Sequence, residues 1–99
     1  NTQRTSFDLF KEGYDIADIA AKRGMAVSTI ENHLMPFITN GELNAAKLIG
    51  KEKLDTIVSL IKQTGHISAS KPIKDLLPEE YTYGDIRIAQ AHYQWMKDA

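Results

Sequence analysis

Apolar residues recur along this chain at helical rather than strand spacing, most clearly between Tyr14 and Ile38. Ile16, Ile19 and Ala20 fall at i, i+3 and i+4 and make one apolar stripe on a short helix. Asp15 precedes the stripe as an N-cap, with Asp18 three residues on as the acidic half of a capping-box-like pair. Lys22 and Arg23 occupy the last turn, where cations suit the negative end of the macrodipole, and Gly24 supplies the freedom to stop. After a tight turn through Gly24 and Met25, Val27, Ile30, Leu34, Phe37 and Ile38 share one face of a second helix. Pro36 cannot donate to the carbonyl of Asn32, so a kink is expected there, or an end near Met35. Asn40-Gly41 closes the segment.

The flanking pattern is helical too. Asn1 to Arg4 is polar and expected to fray; Thr5 or Ser6 then caps a first helix that turns Phe7, Phe10 and Leu9 inward and ends at Gly13. Past Glu42, Asn44 caps a brief turn over Ala45 to Leu48. Leu54, Ile57, Val58 and Ile61 then mark a helix over Lys51 to Gln63. Gly65 to Ser70 is a polar connector; Ser70 and Pro72 open a short helix that Pro78 ends. Thr82 and Asp85 pair at the start of a final helix to about Lys97, with Ile86, Ala89, Tyr93 and Met96 on one side and Ile88 and Trp95 widening it. No alternating run is long enough for a strand. The fold expected is all-α: a tri-helical helix-turn-helix core over residues 1–41, then a second small helical unit over 42–99, packed as one compact domain. Helix, glycine turn, helix is the arrangement that presents a recognition helix to DNA.

Charge narrows what such a unit can do. The 99 residues carry a formal net charge of -1, whereas strong duplex binders carry a basic excess. Phosphate contacts must therefore come from a local cluster, with modest affinity. Zero cysteines exclude disulfides, thiolate metal sites and a cysteine nucleophile, and fit a reducing compartment. No run of about 18 apolar residues is present, so no membrane partner is expected. The chain opens on Asn1 rather than Met and without a charged-then-apolar leader, so it is expected to be an unsecreted excerpt of a longer protein.

Opposite the apolar stripe of the second helix stand Ser28, Thr29, Asn32 and Pro36. Ser28 and Thr29 open that helix, where hydroxyls and free amides suit a phosphate, and Asn32 can contact adenine bidentately. From Val27 to Ile38 there is no Lys or Arg, and Glu31 is the one charge, which argues against guanine readout. A solvated face of a packing module is the competing explanation. Lys22 and Arg23 are the best phosphate candidates, though dipole compensation alone would account for them. Lysines from Lys47 to Lys74 interleave with acids, as on a solvated face. Tyr81, Tyr83, Tyr93 and Trp95 are able to stack on single-stranded bases, but beside Ile86 and Ala89 they suit a core better. His33, His66 and His92 lack metal-ligand spacing, and no glycine-rich phosphate loop or nucleophile elbow occurs. No catalytic residue, metal or cofactor is expected within the chain.

Several short stretches together carry a resemblance: Leu9-Phe10 with Gly13, Asp18-Ile19-Ala20 with Arg23-Gly24, Ser28-Thr29-Ile30 with His33-Leu34, and Gly41. They resemble the helix-turn-helix domain at the C-terminus of RecQ-like ATP-dependent DNA helicases, especially bacterial ones. Pro72-Ile73-Lys74 and Tyr83-Gly84-Asp85-Ile86-Arg87 resemble the second part of that domain. The resemblance implies an accessory DNA-binding module that serves unwinding, recombination or repair. The parent would be an ATP hydrolase using ATP and Mg, in the bacterial cytoplasm and associated with the nucleoid. It also implies that Ser28, Thr29 and Asn32 form the recognition surface and that Lys22 and Arg23 make flanking backbone contacts. DNA is the expected partner, with the helicase core of the same chain as a second. The alternatives are a protein-docking module of that helicase and the DNA-binding half of a transcriptional regulator.

Overall fold

Seven helices and no strand make up the computed structural model, which describes residues 1–99. They are α1 (Thr2–Lys11), α2 (Ile16–Arg23), α3 (Val27–Thr39), α4 (Ala46–Ile49), α5 (Lys51–Thr64), α6 (Lys71–Lys74) and α7 (Tyr83–Asp98). The central pair is α3 against α7. Helices α1 and α2 pack on the other flank of α3, while α5 and α6 pack on α7. Ile19, Ile30, Leu34, Ile38, Ile57, Ile61, Ile73, Ile86 and Ile88 are enclosed in one continuous core spanning both halves.

Side-chain caps explain where α1, α2 and α7 begin, and an Asn44 contact precedes α4. The Asp15 carboxylate accepts from the Asp18 amide at 2.8 Å and starts α2. Thr82 and Asp85 form a full reciprocal capping box on α7. Asn44 Oδ1 takes the Ala46 amide at 2.9 Å and opens α4.

Several local expectations need correction. Helix α6 ends at Lys74 rather than at Pro78, and Tyr83, Trp95 and Met96, expected to face the core, are exposed. The first helix starts at Thr2, capped by Asn1, whose Oδ1 accepts from the Arg4 amide at 2.7 Å; neither Thr5 nor Ser6 is the cap. The start does not fray, because Arg4 pairs with Glu42 at 3.2 Å and lies 4.7 Å from the Phe37 ring centroid. Helix α3 runs through Pro36 to Thr39, held by burial of Phe37 and Ile38; the Asn32 carbonyl that Pro36 cannot serve belongs to an exposed residue that water reaches. Val27, placed on the apolar stripe by its spacing, is 47% exposed, since the first turn of α3 projects beyond the core. Ser70 does not cap α6 with its side chain; its hydroxyl donates to Gln90 Oε1 at 3.2 Å.

A candidate nucleic-acid interface

The joint between α2 and α3 depends on Gly24, which adopts φ 64 and ψ 38, the left-handed conformation that closes α2. The Met25 amide returns to the Ala20 carbonyl at 2.9 Å, so the chain reverses within three residues and re-enters a helix at Val27. No side chain caps α3, and with the Thr29 amide bonded to the Ala26 carbonyl at 3.1 Å, the Val27 and Ser28 amides are left open to water or an anion.

Helix α3 has three kinds of surface. Ile30, Leu34, Phe37 and Ile38 are buried. Ser28, Asn32, Pro36 and Thr39 form the exposed strip, with Thr29 half-buried at its edge. This strip carries no charge. The half-buried flanks face neighbours: His33 meets Ser6 of α1, and Glu31 meets the start of α7.

The Glu31 flank shows how close α3 and α7 come. Gly84 is buried in the first turn of α7, and a Cβ there would collide with the Glu31 carboxylate. Burial pushes the Glu31 carboxyl up from its ordinary value; Arg87 pulls it back and Asp85 adds to the rise. Arg87 thus stands beside α3 without a hydrogen bond or ion pair to any carboxylate, while Arg4, Lys11, Lys51, Lys53 and Lys71 each have one.

The two predicted cations differ. Lys22 is exposed, with Nζ 4.7 Å from the Tyr14 ring centroid and no acidic partner. Arg23 is engaged inside the fold. Its Nη1 donates to the Thr2 carbonyl at 2.7 Å and to Ser6 Oγ at 2.6 Å, and its Nη2 donates to Thr2 Oγ1 at 2.9 Å. Ser6 Oγ accepts from Arg23 and shares a hydrogen bond of 2.9 Å with His33 Nδ1. Arg23 therefore ties α2 to α1, and Lys22 is the cation that remains free at this end. Ser28, Asn32 and Lys22 are each exposed to solvent; Thr29 and Arg23 are partly withdrawn.

A family of helix-turn-helix domains matches residues 2–90, from the start of α1 to the middle of α7. The chain belongs to the helix-turn-helix domain family. No curated protein and no solved structure matches it. The matched span of this helix-turn-helix domain includes α4 to α6 as well as the tri-helical unit, together with Arg87, which sequence reasoning passed over. Nothing in the spacing of Arg87 singles it out, because its place beside α3 depends on a pairing of helices far apart in the chain. No group of three or more His, Cys, Asp or Glu side chains converges as a metal site, and no helix is long and apolar enough to cross a membrane.

Proposed function

We propose that this helix-turn-helix domain contacts DNA weakly and with little regard to sequence, as a non-catalytic accessory module of a RecQ-like ATP-dependent DNA helicase. The observation that carries the DNA contact is the exposed, uncharged strip of Ser28, Asn32 and Thr39 on α3, together with Lys22, exposed in the last turn of α2 without an acidic partner. Hydroxyls, an amide and open first-turn amides suit phosphate oxygens, and the absence of Lys or Arg on α3 suits contact without base readout. The helicase assignment rests on the short stretches of sequence resemblance, in which the motor and its ATP and Mg lie outside this chain.

Fluorescence anisotropy with single-stranded, duplex and forked DNA tests the proposal. Binding should appear at low salt and weaken with a slope of about -0.9 per neutralised phosphate. Lys22→Glu should weaken it; Arg23 is unsuitable as a probe because its loss would disturb α1. No signal with any DNA at low salt would refute DNA contact.

A second proposal is that the module docks on the helicase core of the same chain. It is favoured by an open cleft of about 530 Å³ that includes Phe7, Phe10, Tyr14 and Leu43, with a neighbouring cleft reaching the exposed Val27. Capture of the core that survives Lys22→Ala would favour docking. A footprint on a palindromic site, with dimerisation, would instead mark the DNA-binding half of a transcriptional regulator.

A further inference from the structure

Beside α3, a further open cleft of about 370 Å³ runs between α3, α7 and the 65–70 connector. Met35 and Thr39 of α3 form one wall, Arg87 and Gln94 of α7 the other, and Ile67 and Ser68 the rim. Arg87 is half-buried and has no hydrogen bond or ion pair, although Glu31 lies near it at the first turn of α7. A guanidinium held against a helix wall with its donors unused is shaped for a planar or tetrahedral oxyanion. Ile67, 43% exposed, offers an apolar contact beside it.

We infer that the cleft between α3 and α7 seats a nucleic-acid backbone phosphate on Arg87, with the Ser68 hydroxyl as a second donor. This rests on the DNA-contact proposal above and extends it: the recognition helix has no cation of its own, and α7 provides one along its edge. Lys22 on α2 and Arg87 on α7 would add one phosphate contact from each half to the uncharged strip. The geometry divides the labour between the halves. The tri-helical unit supplies the neutral strip and Lys22, and the C-terminal unit supplies Arg87.

The inference commits to a specific pattern. In anisotropy titrations over a range of salt, Arg87→Gln should lower DNA affinity about fivefold at low salt, the upper end for one exposed ion pair. It should also reduce the salt slope by about 0.9, the loss of one phosphate contact. Arg87→Lys should restore most of the slope, since a point charge still meets a phosphate, and Ser68→Ala should give a smaller loss of affinity with the slope unchanged. Circular dichroism melts would verify that each variant is folded. Binding by the wild type with affinity and slope unchanged in folded Arg87→Gln would overturn the phosphate seat and leave the DNA-contact proposal standing. Absence of binding by the wild type would overturn both. If Arg87→Gln failed to fold, Ser68→Ala would decide: full wild-type affinity in that folded variant would overturn the seat.

Discussion

The two halves of the molecule each bury one polar side chain, and they use it differently. Ser6 and Gln90 are the two buried polar residues. In the N-terminal unit, Ser6 is a knot between helices: it joins Arg23 of α2 to His33 of α3 from its place in α1. All three helices have their own caps or stops, so the knot adds no secondary structure; it sets how the helices cross. In the C-terminal unit, Gln90 of α7 holds a segment with no secondary structure of its own. Its Nε2 donates to the carbonyls of His66 and Ala69, at 3.3 and 3.1 Å, and its Oε1 accepts from Ser70. Polar burial therefore fixes angles in the first half and fixes a loop in the second.

The largest expected effect asks whether these halves are separable. Ile30 of α3 and Ile57 of α5 are both fully enclosed, and one core joins them. Ile30→Ala and Ile57→Ala should each destabilise by about 2–5 kcal/mol, and each should move one cooperative transition rather than split it. Two separate transitions in a thermal or urea melt would break the comparison, by showing two units that merely touch.

Next comes the knot. Ser6→Ala leaves His33 Nδ1 and one Arg23 donor unpaired in a part-buried place, at a cost of about 1–3 kcal/mol. The loss should be global, read as a lower midpoint with an unchanged m-value. If only the first few residues loosened in hydrogen exchange, Ser6 would not be setting the helix crossings.

Much of this fold was legible in the chain, and the failures share a cause. Asp15, Thr82 and Gly24 act within a few residues of themselves, so local chemistry revealed α2, α7 and the turn. Ser6 and Ser70 misled for the opposite reason: both are good caps by type, yet their hydroxyls serve partners 17 to 27 residues away for Ser6 and 20 for Ser70. Pro36 does not end α3 near Met35, because burial of Phe37 and Ile38 outweighs one missing backbone bond. In the candidate site, the exposure of Ser28 and Asn32 followed from helical phase alone. The engagement of Arg23 with α1 and the nearness of Arg87 to α3 did not, since both depend on contacts between elements.

Gln90→Leu should sharpen the contrast with Ser6. The carbonyls it abandons belong to the exposed residues His66 and Ala69, where water replaces the lost donors, so the cost should be about 1 kcal/mol. Amide exchange and protease cleavage should rise within 65–70, with little change elsewhere. A global loss as large as that of Ser6→Ala would erase the distinction between knot and clamp.

The smallest effect concerns pH and the C-terminal half alone. His92 stands on α7 with its ring centroid 5.5 Å from that of Trp95, and the Trp95 indole packs against Gly41 at the end of α3. Burial lowers the His92 pKa from its ordinary 6.5, and the Asp55 carboxylate opposes this only in part. The folded form thus prefers the neutral ring, while the unfolded chain takes up a proton near 6.5. Stability should accordingly be complete above that pH and fall as acid is added, levelling off once the lowered folded pKa is passed. Because the ring is partly solvated, the change should stay below about 1 kcal/mol after screening. His92→Gln should flatten the pH dependence of the urea midpoint between 7 and 5. An undiminished slope in that variant would assign the acid sensitivity to other groups, and α7 would then reach the end of α3 without a titrating contact.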